Sequence, residues 1–163
     1  AAIQLQVEAA LDYDKLLDKL RGSEGEKNIR DQQNALITSL NLRLNGVSNK
    51  RTRLYEDYAE GLLDEAEYSF AKKSYDEQYA DLSRRLDEAV QRRSKFDEAM
   101  SVDNKWITLM KSVSTATQLS QDLVDESVEL VKVHEGGAVE LVMKYGDIYE
   151  LTIQSIKEVQ EAM

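Results

Sequence analysis

The sequence predicts a mainly α-helical protein in which a long antiparallel coiled-coil hairpin projects from a small α+β base. Three observations predict this fold class. The 163-residue chain lacks proline and is 32% charged, a composition that favours long solvated helices. Two central segments repeat their apolar residues every three or four positions, as paired helices do. A β-branched run divided by Gly136-Gly137 then predicts a β-hairpin at about residues 128–145.

Residues 1–25 are predicted to form the first helix of the base. Apolar residues recur there at helical spacing, and they are Ile3, Val7, Ala10, Leu11, Leu17 and Leu20. The glycines and the serine of "RGSEGEK", residues 21–27, predict the end of this helix and a turn.

Residues 26–100 are predicted to form the coiled-coil arm, with its tip near residues 60–66. The seam of its first helix comprises Ile29, Gln33, Leu36, Leu40, Leu44, Val47, Arg51, Leu54 and Tyr58. These steps of three and four residues approximate a heptad repeat with one local slip. Gly46 weakens this helix by about 1 kcal/mol, which the long repeat outweighs.

The second helix of the arm is predicted to begin at Asp64, an N-cap that forms a capping box with Glu67. Its seam comprises Tyr68, Ala71, Tyr75, Tyr79, Leu82, Leu86, Ala89, Arg93, Phe96 and Met100. Antiparallel pairing of the two seams predicts partners whose residue numbers sum to about 126. These partners are Tyr58 and Tyr68, Arg51 and Tyr75, Val47 and Tyr79, Leu44 and Leu82, Leu40 and Leu86, and Gln33 and Arg93.

Residues 101–163 are predicted to form the small α+β segment. Its first short helix lies within Ser101–Val113 and packs through Trp106, Ile107, Leu109 and Met110. A second short helix begins near Ser120 or Gln121, and the β-hairpin follows it. A final helix is expected from about Asp147 to the end of the chain.

The composition argues against several classes of function. A formal net charge of −10 repels nucleic-acid phosphates and anionic membranes. The absence of cysteine excludes disulfides and thiolate metal sites, and it fits a cytoplasmic protein. No apolar run is long enough to cross a membrane. Because the chain opens "AAIQLQVEAALDY" without a methionine, we expect it to be part of a longer protein.

No group of residues predicts a catalytic, metal or cofactor site. The single histidine, His134, lacks a second imidazole or a cysteine and is expected on the surface of the sheet. The acids Asp122, Glu126 and Glu129 share a predicted helical face that is expected to be solvated. The basic residues Arg84, Arg85, Arg92, Arg93 and Lys95 alternate with acids, which favours pairing along the helix over contact with DNA.

The tip of the arm is the candidate binding site. Residues 56–67 contain six acids and no base, together with Leu62 and Leu63. One leucine can fold back over the turn, and the other should then stay exposed as a contact site rimmed by charge. The candidate partner-binding residues are Tyr58, Gly61, Leu62, Leu63, Glu65 and Tyr68. Simple packing of the turn and binding of a partner both remain open, and Lys72 and Lys73 would complement the acidic tip of an identical molecule.

The ordered combination of segments resembles the C-terminal region of large serine recombinases of the resolvase/invertase superfamily. Those proteins carry a tyrosine-rich helix, a G-[LI]-[LI]-x-[ED]-x-x-Y turn and a second helix. Here the turn reads Gly61-Leu62-Leu63-Asp64-Glu65-Ala66-Glu67-Tyr68. The "V-x-V-H" strand that commonly follows corresponds to residues 131–134, "VKVH". The family's resolvase domain, which holds the catalytic serine, and its zinc ribbon have no counterpart in this sequence, so no catalytic residue is carried over.

The resemblance implies an interaction module that controls synapsis and directionality of DNA integration and excision. In that family, coiled-coil arms of different subunits meet and hold two DNA sites together, and directionality factors act near the same region. Contact with DNA would then belong to other domains of the parent recombinase. The alternative is a stand-alone helical-hairpin adaptor or chaperone-like protein that binds its partners through the tip. An enzyme acting through this segment itself is disfavoured, because no catalytic site is predicted.

Overall fold

The computed structural model describes residues 2–115 and 121–163, and in these ranges the protein is mainly α-helical with one two-stranded antiparallel sheet. The helices are α1 (Ala2–Leu20), α2 (Glu24–Ala59), α3 (Glu65–Met100), α4 (Lys105–Thr115), α5 (Gln121–Ser127) and α6 (Gly146–Glu161). The strands are β1 (Val128–Val133) and β2 (Val139–Met143). The predicted fold class, mainly α with a long helical hairpin and a small α+β part that contains a β-hairpin, is thus confirmed. The chain forms two compact units, residues 30–93 and residues 1–29 with 94–163.

In the unit of residues 30–93, α2 and α3 pair through the predicted seams. Every seam residue predicted on α3 between Tyr68 and Arg93 is buried or half-buried. The core cluster comprises Leu40, Val47, Leu82 and Ala89, with Ile37, Leu44, Tyr75, Tyr79 and Leu86 packed against it. Burial of this apolar stripe is the main force that holds two otherwise solvated helices together.

The prediction that Leu36 belongs to the seam is wrong. Leu36 is 48% exposed, whereas its neighbour Ile37 packs against the core cluster. With Ile37 in the seam, Ile37, Leu44, Arg51 and Tyr58 follow one another at intervals of seven residues. The regular heptad places Ile37 on the face that contacts α3, and Leu36 is rotated away from it.

The register agrees with the predicted pairing at the end next to the turn. The rings of Tyr58 and Tyr68 stack with their centroids 4.3 Å apart. Arg51, predicted opposite Tyr75, lies 4.8 Å from the centroid of Tyr79 and pairs with Asp76 at 2.9 Å. The guanidinium thus has an aromatic ring and a carboxylate as partners within the seam.

In the other unit, a core around Trp106 joins α1, α4, α6 and the last turns of α3. Its buried members are Ala10, Leu17, Leu20, Phe96, Met100, Trp106, Ile107, Leu109, Met110, Ile148, Ile156 and Val159. The Trp106 ring lies 4.6 Å from that of Tyr149 and 6.1 Å from that of Tyr13. The predicted packing residues of the short helix after residue 101 are confirmed as core residues.

Asn104 connects three elements of this unit from a position that is 1% exposed. Its Oδ1 accepts a hydrogen bond of 3.1 Å from the Ile107 amide and so caps α4. Its Nδ2 donates to the Ala99 carbonyl at 2.9 Å and to the Thr152 hydroxyl at 2.8 Å. All polar atoms of the side chain are therefore satisfied where water is excluded.

The turn predicted at residues 21–27 is shorter in the structure, because α2 already begins at Glu24. Gly22 has the positive φ of 73° that ends α1, but Gly25 is helical. A Cβ at Gly25 would lie 2.3 Å from the Val159 carbonyl oxygen of α6. Gly25 is thus required by a close approach between helices, and the prediction that it forms a turn is wrong.

The predicted β-hairpin is present. β1 and β2 pair antiparallel, with Val133 opposite Val139 and an irregularity between Val128 and Leu130. Gly136 and Gly137 occupy the turn with φ of 101° and 83°. The second short helix begins at Gln121, and the alternative start at Ser120 lies outside the described residues.

Candidate functional site

The turn between α2 and α3 begins with a Schellman motif. The Gly61 amide donates to the Tyr58 carbonyl at 3.0 Å, and the Leu62 amide donates to the Asp57 carbonyl at 2.9 Å. Gly61 has a φ of 77°, a left-handed conformation that glycine adopts without steric cost. The predicted tip glycine is therefore the residue that ends α2.

Leu62 finds acidic residues at the positions of α2 on which it would ordinarily pack. In a Schellman motif, the residue after the left-handed position usually packs against the side chains five or six residues before it. Those residues are Asp57 and Glu56 here, and Leu62 is 68% exposed. An apolar side chain is thus presented to solvent at the tip among acidic groups.

Leu63 has a local structural role instead. The Asp64 amide donates to Glu67 Oε2 at 3.0 Å, and the Glu67 amide donates to Asp64 Oδ1 at 2.8 Å, which is the predicted capping box. Leu63 precedes the N-cap, the position whose side chain packs on the fourth helical residue, here Tyr68. Both side chains are half-buried. Of the two leucines, Leu62 is the more exposed and is therefore the candidate for contact with a partner.

The other predicted tip residues divide between structure and surface. Tyr58 and Tyr68 close the seam by stacking, and 37% of Tyr58 is exposed. Glu65 is exposed at the start of α3, where its charge favours the positive end of the helix. The structure therefore brings the six predicted residues together at one turn.

Two exposed aromatic residues near the tip were not predicted as site residues. Phe70 is 81% exposed and Tyr55 is 62% exposed. Phe70 lies outside the seam of α3, between the seam residues Tyr68 and Ala71. The position of Phe70 outside the apolar repeat could have identified it from the sequence, because a phenylalanine outside the apolar stripe of an amphipathic helix must face water or a partner.

The other polar residues singled out in the sequence, His134 and the acids near residues 122–129, are exposed. Among residues 2–115 and 121–163, no three His, Cys, Asp or Glu side chains are placed to hold a metal ion. His134 is exposed on the hairpin, where its Nε2 lies 2.9 Å from Glu140 Oε2. The expectation that Asp122, Glu126 and Glu129 share a helical face is wrong, because α5 ends at Ser127 and Glu129 lies in β1.

Arg84 and Arg85 pair with acids along α3, as predicted for the basic residues of this helix. Arg84 contacts Asp81 at 2.8 Å and Glu88 at 2.7 Å, and Arg85 lies 3.8 Å from Asp81. The Arg84 hydrogen bond lowers the pKa of Asp81.

In the described part of the chain, no helix has the length and apolar character needed to cross a bilayer.

No protein-family model, curated protein or solved structure matches the chain.

Proposed function

We propose that this chain is the coiled-coil interaction module of a cytoplasmic site-specific serine DNA recombinase, and that copies of it contact one another through the hairpin tip. The observation that carries the proposal is the exposure of Leu62, which is 68% accessible and has acids at the two positions on which it would ordinarily pack. The resemblance of the turn sequence to large serine recombinases supplies the biological setting.

The physical character of the tip suits a weak and reversible contact. A single exposed leucine amid carboxylates contributes about 1–3 kcal/mol when it is buried by a partner. Such a contact is negligible between dilute molecules. Once the recombinase subunits are fixed on DNA, high local concentration makes it effective, so that tip contacts would control which sites are synapsed. A directionality factor that binds near the tip would shift the equilibrium between free tips and tips in contact.

A matched pair of substitutions tests the tip contact. Leu62→Asp adds a charge to the tip, and Leu42→Asp makes the same change at a position of α2 that is 67% exposed. We expect sedimentation equilibrium of the 163-residue chain to show weak self-association that Leu62→Asp abolishes and Leu42→Asp preserves. Circular dichroism should show the same helicity for all three proteins. Equal self-association of the two variants would refute the tip contact.

The recombinase assignment has its own test. The reading frame upstream of Ala1 should encode a resolvase-type catalytic domain with a nucleophilic serine and paired cysteines for a zinc ribbon. An upstream frame that encodes neither would refute the recombinase assignment and support the adaptor interpretation.

A further inference from the structure

One face of α3 near the tip carries an acid, an aromatic residue and a base in equal steps. Glu67, Phe70 and Lys73 are separated by three residues each, so they are neighbours along one side of the helix. All three are exposed, and Phe70 at 81% is the most exposed large apolar residue in the described chain. The exposed small residues Ala66 and Ser74 lie four positions before and after Phe70.

This arrangement is complementary to itself. A two-fold axis through Phe70 places α3 antiparallel to a second α3 and exchanges the positions of Glu67 and Lys73. The small side chains at Ala66 and Ser74 then allow the two helices to approach closely around the aromatic rings. We infer that two copies of this chain associate through this face, with Phe70 packed on Phe70 and Glu67 paired with Lys73 in both directions. The inference rests on the proposed function, in which copies meet at the hairpin tip, and it specifies the geometry of their contact.

The distribution of charge beyond this face favours the same partner. The tip, residues 56–67, holds six acids and no base. A basic collar follows it, which comprises Lys50, Arg51, Arg53, Lys72 and Lys73. The antiparallel overlap places each acidic tip beside the collar of the other copy. An acidic partner would be repelled by the tip and a basic one by the collar, whereas a second copy complements both.

Two cations of the collar, Arg53 and Lys73, are available for such a contact, whereas two others are already paired. Arg51 and Lys72 share Asp76, at 2.9 and 2.7 Å, and the Lys72 hydrogen bond is the main cause of the lowered pKa of Asp76. Within residues 2–115 and 121–163, the structure gives Lys73 and Arg53 no ion pair. Their charges are therefore open to the carboxylates of another molecule.

The two-fold arrangement also provides a surface that covers the exposed side chain of Leu62. In the two-fold arrangement, Leu62 of the second copy lies near the level of Glu77. A shallow groove of about 460 Å³ lies there on α3, lined by Ser69, Lys72, Lys73, Asp76, Glu77 and Ala80. The aliphatic parts of these side chains offer an apolar surface to the incoming leucine. Contact at Leu62 and contact at Phe70 then belong to one interface.

Charge exchange within α3 tests the geometry. Phe70→Ser and Lys73→Glu should each raise the dimer dissociation constant at least about tenfold in sedimentation equilibrium, as expected for the centre of a contact. The double variant Glu67→Lys/Lys73→Glu restores opposite charges across the two-fold axis. Glu67→Lys alone loses the same capping box with Asp64, so it is the reference, and the double variant should bind at least about tenfold more tightly than it. Lys95→Glu makes the same net-charge change on α3, outside the tip and the collar, and should leave the dissociation constant unchanged.

The outcomes separate this inference from the proposed function. If Leu62→Asp abolishes self-association while Phe70→Ser and Lys73→Glu do not weaken it, the tip contact stands and the two-fold arrangement is wrong. Failure of the double variant to bind more tightly than Glu67→Lys, with helicity retained, overturns the arrangement as well. A wild-type chain that stays monomeric at about 1 mM, a range in which even weak contacts are populated, overturns both.

Discussion

Two helical glycines of α2 should respond in opposite ways to the same substitution. Gly25 and Gly46 both lie within α2. An added Cβ at Gly25 would lie 2.3 Å from the Val159 carbonyl oxygen and 2.7 Å from Met163 Cγ. At Gly46, no heavy atom other than those of its chain neighbours and its own helix backbone lies within 4 Å of the added Cβ. The same change of glycine to alanine therefore creates a clash at one site and none at the other.

The magnitudes follow from these distances. At Gly25 the separation from a backbone oxygen must increase from 2.3 Å to at least 3.0 Å, which requires movement of α2 relative to α6. Overpacking of this kind costs about 1–3 kcal/mol, and a backbone neighbour places it at the upper end. Alanine returns at most about 1 kcal/mol in helix propensity, so Gly25→Ala should destabilise by about 2 kcal/mol. Gly46→Ala keeps only the propensity gain and should stabilise by about 0.5–1 kcal/mol.

Urea unfolding can distinguish the two effects. Trp106 is the only tryptophan and is 1% exposed, so its fluorescence reports on the unit that contains Gly25. With an m value of about 2 kcal/mol/M, Gly25→Ala should lower the fluorescence midpoint by about 1 M. Gly46→Ala should raise the midpoint measured by circular dichroism at 222 nm. Unchanged stability of Gly25→Ala, or shifts of the two variants in the same direction, would refute the reasoning.

Two further predictions concern the other unit. Asn104→Ala removes the cap of α4 and two buried hydrogen bonds, so it should destabilise by about 2–4 kcal/mol in the same urea assay, whereas exposed Asp103→Ala should cost under about 1 kcal/mol. Hydrogen bonds from His134 and, to a smaller extent, Lys132 lower the pKa of Glu140. These bonds should therefore stabilise the folded hairpin fully at pH values above the ordinary glutamate pKa, and their stabilisation should be lost as the pH falls through the lowered pKa of Glu140. In a carbon-13 NMR titration, His134→Ala should raise the midpoint of Glu140, and an unchanged midpoint would contradict this cause.

The paired helices α2 and α3 were predictable because their apolar residues recur every three or four positions. The seam of α3 was predicted correctly between Tyr68 and Arg93, where its members recur at steps of three and four residues and are all buried or half-buried. The error at Leu36 arose where two apolar residues are adjacent, and only the strict seven-residue spacing of Ile37, Leu44 and Arg51 identifies the buried one. Local periodicity therefore predicts that a seam exists more reliably than it assigns each of its members.

Features that depend on distant segments were not predictable. Gly25 matches a turn signal in the sequence, and the reason for its presence is a carbonyl of α6 far along the chain. Asn104 is different, because an asparagine before the apolar run of α4 is a recognisable N-cap signal. Its buried bonds to Ala99 and Thr152 could still be known only from the structure.

At the candidate site, the sequence identified the turn but left the two leucines equivalent. The capping box and the Schellman motif distinguish them, because Leu63 precedes an N-cap and Leu62 follows a left-handed glycine. Phe70 was not among the predicted site residues because it lies outside both the seam and the turn. An outward aromatic residue has no periodic pattern of its own, and its significance becomes clear from its exposure and from the charges on either side.

The contact between hairpin tips can be measured directly by double electron–electron resonance. The chain has no cysteine, so Glu60→Cys provides a single site for a nitroxide label at the tip. Because Tyr58 stacks on Tyr68, Glu60 lies near the level of residue 66, about 6 Å of helical rise from Phe70, so the two-fold axis offsets two labels by about 12 Å along the hairpins. The interhelical spacings of about 8–10 Å across the two paired hairpins add to this offset and place the labels within about 35 Å of each other. We predict a dipolar signal between copies within that distance, and its loss in Leu62→Asp. The absence of any signal between copies, or a signal that persists unchanged in Leu62→Asp, would contradict a contact made by the tip.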